Sequence, residues 1–302
     1  MGIALENALK KSYERSAARM AANPAMDLDS LRDMLEGLHE LASEPVRVTY
    51  EDVDCDGVPA ILAKPAGAPD DRVIVYTHGG GCVTGSSHSH RKLAAHLAKA
   101  AGVHALVVDY RRAPEHPFPS QIGDLTVVHR WLRRNGYAPA HTATAGDSAG
   151  GNLAITTVLK LRELGEALPA AIVGFSPWLD MEASGKTMET NADSDALVSR
   201  GVSEMMSAMY LGDVARNEPL ANPLYADLAG LPPMYFSAGD AETLLDNAER
   251  IAARAKAAGV DVTLDIKPGQ QHVYPFMAGR SPEADATIAA AGAWLRTRLG
   301  LR

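Results

Sequence analysis

Serine 148 stands in Gly146-Asp-Ser-Ala-Gly150, between the alternating run His141-Thr-Ala-Thr-Ala145 and a helix-like run that begins at Gly151-Asn-Leu-Ala. G-x-S-x-G spacing suits a strand that turns sharply into a helix, because the glycines permit the turn and leave no side chain beside the hydroxyl. A serine raised in this way at the carboxyl edge of a sheet is placed to attack an acyl carbon. The bland reading is a tight strand-to-helix turn without chemistry. A second stretch, His78-Gly-Gly-Gly81, follows the apolar run Val73-Ile-Val-Tyr-Thr77. Three consecutive glycines cost conformational entropy unless the backbone must come close to something. The N–H groups of Gly80 and Gly81, together with that of Ala149, offer three donors to a developing oxyanion.

A nucleophilic serine needs a base, and the base needs an orienting acid. In α/β hydrolases the chain order is serine, acid, histidine, so the base lies late in the sequence. Of the ten histidines only His272 follows Ser148, within Pro268-Gly-Gln-Gln-His-Val-Tyr274. The acid belongs after the run Met234-Tyr-Phe-Ser-Ala238, which offers Asp240, Glu242 and Asp246. Chemistry alone does not choose among them, since any carboxylate can hold the imidazole tautomer.

These residues need a scaffold, and the pattern supplies one. Residues 4–42 read as two amphipathic helices, with Leu28, Leu31, Met34, Leu35, Leu38 and Leu41 in one stripe and Asp27 or Asp29 as N-cap. After Pro45 the period changes to two: 47–51 and 59–63 alternate as strands around the turn Asp54-Cys-Asp-Gly57. Apolar strands at 73–77, 105–109, 142–145, 171–175, 234–237 and 262–266 then alternate with helices near 88–101, 120–135, 151–164, 243–258 and 283–298. Such alternation predicts a buried, mostly parallel sheet with helices on both faces. The interval between Asp180 and Leu231 breaks the rhythm with a helix at 199–211 and then the loop-like Asn222-Pro-Leu-Tyr-Ala-Asp-Leu, and looks inserted.

Composition narrows the partners. A net charge of −8 over 302 residues leaves no basic stripe for nucleic acid. No apolar window reaches membrane-spanning length and no secretory leader is visible, so a cytoplasmic location is expected. Two cysteines, Cys55 and Cys82, are too few for a disulfide framework, although a single bridge stays possible. His88, His90 and His96 lack zinc-ligand spacing, and no metal is expected.

The motifs His78-Gly-Gly-Gly81, Asp109-Tyr-Arg-Arg-Ala-Pro-Glu-His-Pro-Phe-Pro119, Gly146-Asp-Ser-Ala-Gly150 and Ser176-Pro-Trp-Leu-Asp180 together resemble the bacterial hormone-sensitive-lipase-like family of α/β hydrolases. The resemblance spans about residues 45 to 300. It implies an α/β-hydrolase fold with an eight-stranded, mostly parallel sheet, and hydrolysis of a small-molecule carboxylic ester without a cofactor. Residues 1–44 and the 181–215 insertion resemble that family's helical cap, over a core of 45–180 and 216–302. Counting from Pro232-Pro233 and back from His272, the family's acid falls on Glu242, where an aspartate is usual; Asp240 is the alternative and Asp180 a distant third.

Cys82, Val83, Asp147 and Tyr210 are expected at the substrate. The family usually carries a bulky aromatic at the position of Cys82, so this chain leaves more room there, although plain packing of a small thiol is the simpler reading. Arg111, Arg112 and Glu115 read as loop anchors. Rival readings are a lactone or amide hydrolase with the same triad, or a ligand receptor on a retired scaffold. Loss of the base would mark the receptor, and His272 is present. The Ala-, Met- and Leu-rich helices favour short or medium acyl esters, and an exposed last strand or helix is available to pair with a second subunit.

Overall fold

The computed structural model describes the backbone of residues 2–39 and 41–301 and the side chains of 8–37 and 41–301. Two helices come first, α1 (Gly2–Ala22) and α2 (Leu28–His39). Asp27 settles the choice of cap, because its Oδ1 accepts the Ser30 amide at 2.8 Å. Leu31, Met34 and Leu35 of the expected stripe are buried, while the Leu38 side chain lies outside the described residues.

Strands β1 (Val48–Asp54) and β2 (Pro59–Pro65) form the expected hairpin, its turn held by the Gly57 amide donating to Asp54 Oδ1 at 2.7 Å. There follow β3 (Val73–Thr77), α3 (Ser87–Ala101), β4 (His104–Val108), α4 (Ser120–Arg134), β5 (Thr142–Asp147), α5 (Ala149–Glu163) and β6 (Ala171–Phe175). A single turn α6 (Thr187–Thr190), then α7 (Arg200–Leu211), β7 (Met234–Gly239), α8 (Leu245–Ala257), β8 (Val262–Lys267) and α9 (Pro282–Arg298) complete the chain. Two boundaries differ from expectation for a physical reason. Asp109 leaves β4 and accepts the Ser87 amide at the start of α3 at 3.0 Å. Helix α5 begins directly after Ser148, two residues earlier than the pattern indicates, because the turn has no spare residue.

The strands form one eight-stranded sheet in the order β1-β2-β4-β3-β5-β6-β7-β8. Strand β2 runs antiparallel to both neighbours and the other pairings are parallel, so the chain has the α/β-hydrolase fold. Alternation sorts the side chains: Ile74 and Tyr76 pack with Leu93, Leu97, Ile288 and Leu295 on the α3/α9 face. Val73 and Val75 pack on the opposite face with Ile122 and Leu125 of α4. That second cluster continues without a break to Leu9 and Tyr13 of α1, Leu35 of α2 and Met206 of α7. The helices outside the sheet are therefore joined to the main core. Cys55 and Cys82 are both free and buried, so no bridge joins them. Among the described residues no helix is long and apolar enough to cross a membrane.

Candidate active site

Register brings the chemistry to one edge. Thr77 pairs with Gly146, Gly146 with Gly174, and Phe175 with Asp147 and Ser237, so β3, β5, β6 and β7 end together. The segments that leave this edge carry Gly80, Ser148, Ser176 and Glu242, and His272 follows β8.

Ser148 has φ 50° and ψ −121°, a backbone conformation that costs an L residue of order 1–3 kcal/mol. The surroundings over-determine it. Its amide donates to Phe175 O at 2.9 Å, and its carbonyl accepts the Trp178 amide at 2.9 Å. Thr77 Oγ1 donates to Gly150 O at 2.7 Å. A Cβ on Gly150 would run into the carbonyls of Thr77 and His78, so only glycine lets the helix approach β3 this closely. Ser148 is half-buried and faces a cavity that is also lined by Gly80, Gly81, Asp147 and His272.

The glycine loop turns through left-handed backbone: Gly80 has φ 102°, Gly81 φ 66° and Cys82 φ 62°. The Val83 and Thr84 amides close it onto Gly80 O at 3.0 and 2.8 Å. Among the described residues, the amides of Gly80, Gly81 and Ala149 meet no protein acceptor. Ala149 opens α5, where the helix dipole also favours negative charge. Beneath this loop Asp147 is buried, with Tyr76 donating to its Oδ1 at 2.7 Å. Tyr110 stacks on His78 at 4.1 Å between centroids and donates to its carbonyl at 2.7 Å. Burial pushes the His78 imidazole down to about 3, so it stays neutral.

On the other side of the cavity, His272 Nδ1 lies 2.8 Å from Glu242 Oε2, with both side chains buried. Burial pulls the His272 pKa down, but the Glu242 hydrogen bond and charge, with Asp195 and Asp147 nearby, outweigh it and leave the value raised. Asp240 does not join the pair: it is exposed and accepts the Gly269 amide at 2.6 Å. Asp180 is tied to Arg250 at 2.9 Å, and Asp246 also faces Arg250. Of the residues expected at the substrate, Asp147 lines the cavity, whereas Cys82, Val83 and Tyr210 are buried behind its wall. They fill the core beneath the glycine loop, and Met206 packs over Gly81 in their place.

Several contributors carried no motif. Tyr13 of α1, fully buried, lines the cavity and donates to His272 O at 2.8 Å. Burial first, then Asp195, Asp147 and Glu242, push its phenol well above the ordinary value, so it stays a donor. The 191–195 segment straps the acid loop. Asn191 Nδ2 donates to Asp240 O and Glu242 O at 2.8 and 2.9 Å, and Asp195 Oδ2 accepts the Thr243 amide at 2.8 Å. Gln271, next to His272, donates to Ser194 O at 2.9 Å and accepts the Ala196 amide at 2.8 Å.

Arg32 of α2 donates to Val83 O at 2.9 Å and grips both oxygens of Glu115 at 2.7 Å, which holds that carboxyl down at about 2. The loop anchors expected within 110–119 thus take partners from elsewhere: Glu115 from α2, and Arg111 from Asp124 of α4 at 2.6 Å. Periodicity marks a helix face but not which atom across space a tyrosine or arginine will reach.

Comparison with known proteins agrees with this architecture. A family profile described as the alpha/beta hydrolase fold matches residues 74–276. The chain is 38% identical to an acetyl-hydrolase of Streptomyces hygroscopicus, over 76% of this chain and 77% of that one. It is 36% identical to the esterase LipU of Mycobacterium tuberculosis, over 76% and 79%. The crystal structure of an esterase from the bacterial hormone-sensitive lipase family superposes with a TM-score of 0.93 at 41% identity, covering 98% of each chain. Fold, profile and relatives agree, and the chain belongs to the bacterial hormone-sensitive-lipase-like family of α/β hydrolases.

Proposed function

We propose that this carboxylesterase cleaves short to medium acyl esters through Ser148, His272 and Glu242. The observation that carries the reading is the buried His272–Glu242 hydrogen bond at 2.8 Å, on a cavity shared with Ser148 and the glycine loop. His272 removes the Ser148 proton as Oγ attacks the ester carbonyl. The amides of Gly80, Gly81 and Ala149 hold the oxyanion, a type of contact whose single loss costs about 10² to 10³ in rate. His272 returns its proton to the leaving alkoxide, and water then cleaves the acyl-enzyme by the same route in reverse. Glu242 keeps the ring oriented and favours its charged form in both steps.

Residues 1–44 and 181–215 act as a cap over the core of 45–180 and 216–302. The cap supplies Tyr13, Leu35, Val202, Ser203 and Met206 to the cavity wall. This largely apolar wall supports a hydrocarbon acyl or alcohol group, and flexible methionine tolerates more than one shape. Strand β8 lies at the open edge of the sheet with half-buried residues throughout, which supports pairing with a second copy. The test is hydrolysis of p-nitrophenyl esters from about two to twelve carbons by wild type and Ser148→Ala, since an apolar pocket of limited size sorts acyl chains by length. The expected result is fast cleavage of the short esters and loss of activity in the variant. Faster cleavage of the longest esters rejects the size assignment, and an active Ser148→Ala rejects the nucleophile.

A further inference from the structure

The peptide unit that joins His272 to Val273 is gripped at both poles. Its carbonyl accepts the Tyr13 hydroxyl at 2.8 Å, and its N–H donates to Ser176 Oγ at 2.9 Å. Val273 follows with φ 45° and ψ 45°, a left-handed conformation that a β-branched side chain resists. Such a conformation persists only where the surroundings impose it. Ser176 itself has φ 47° at the end of β6, so one bent residue holds another. The His272 ring is fixed at Nδ1 by Glu242, and its backbone is fixed by Tyr13 and Ser176. Tyr13 differs from the other two in origin, since it belongs to α1 and its buried neighbours on that helix are Leu9 and Ser16.

We propose that Tyr13 is a positioning residue: its hydroxyl, with Ser176 opposite, locks the His272–Val273 peptide so that the imidazole is aligned only when α1 is seated on the core. The proposal rests on the Ser148–His272–Glu242 reading. A base whose backbone is free to turn spends less time in line with the serine, and small misplacements of catalytic groups cost about 10-fold to 100-fold in rate. The loss appears in turnover rather than in binding, because the phenol ring still lines the cavity when only its oxygen is removed.

The test is Tyr13→Phe, with kcat expressed per active site after titration by a fluorophosphonate and with the thermal transition recorded beside it. The expected result is a fall in kcat per site of about 10-fold, with KM for p-nitrophenyl butyrate within about two-fold of wild type. Ser176→Ala, also read per titrated site, is expected to lower kcat by at least as much, because the Ser176 hydroxyl also hydrogen-bonds Glu242, and the double variant to fall by less than the product, because both side chains hold one peptide. Per-site titration separates misalignment from partial unfolding, so a less stable variant is still informative. If Tyr13→Phe turns over within about two-fold of wild type per site while Ser148→Ala is dead, the positioning role is overturned and the triad stands. If Ser148→Ala remains active, the triad falls and this role falls with it.

Discussion

The two sides of the active-site cavity are held by different means. The side that carries Ser148, the proposed nucleophile, is fixed by the sheet: Ser148 and the glycine loop sit at the ends of β5 and β3, and glycine backbones at Gly146 and Gly150 press against Thr77 and His78. The side that carries His272 and Glu242, the proposed base and acid, is fixed by loops whose partners come from distant segments: Tyr13 of α1, Ser176 after β6, and Asn191, Ser194 and Asp195 between α6 and α7. Arg32 ties the N-terminal helices to the glycine loop through Val83 O. One side is built by strand register, and the other by side chains that reach over from α1 and from the loops after β6 and α6. Alignment of serine is therefore a property of the core, whereas alignment of histidine also depends on the segments that cover it.

Substitutions on the two sides should separate accordingly. Ser148→Ala removes the proposed nucleophile and is expected to lower kcat by about 10⁴-fold or more without loss of stability, checked by ester turnover and thermal melting. Glu242→Gln leaves the ring without its charge partner and is expected to cost about 10² to 10⁴ in kcat. In the wild type, kcat/KM should fall as pH drops, with a midpoint above the ordinary imidazole value of 6.5, because protonated His272 cannot take the serine proton. Glu242→Gln should move that midpoint down, since the charge that raises it is gone; a midpoint unchanged by the substitution would dissolve the link between the two residues. Gly81→Ala strains a φ of 66° and crowds Met206, and a loss near 10²-fold is expected from the disturbed oxyanion donors. Arg32→Ala leaves the core intact and is expected to change kcat/KM only several-fold, through a looser α2.

The same contrast explains what the sequence makes legible. Short motifs encode local backbone geometry, so Gly146–Gly150 and His78–Gly81 disclose the tight turns at the ends of β5 and β3 directly, and period-two and period-3.6 patterns place the strands and helices within a few residues. His272 emerges from chain order alone, and Glu242 needs the counting from Pro232-Pro233 because three carboxylates sit close together. Tyr13, Asn191 and Asp195 leave no trace in any pattern. Each makes a contact across 48 or more residues, up to 259 for Tyr13, and even Asp195, whose Oδ1 accepts the nearby Leu197 and Val198 amides, shows nothing locally of its partner Thr243. Cys82, Val83 and Tyr210 are buried outside the cavity lining for a related reason: nearness to the glycines in sequence, or a place on α7, does not say which side of the wall a side chain takes.

The most direct test of the account is to treat the protein with a fluorophosphonate ester and map the adduct by peptide mass spectrometry, with His272→Ala in parallel. The account predicts one adduct, on Ser148, formed far more slowly in the His272 variant. An adduct on Cys82 or another serine, or labelling that is indifferent to His272, would contradict it.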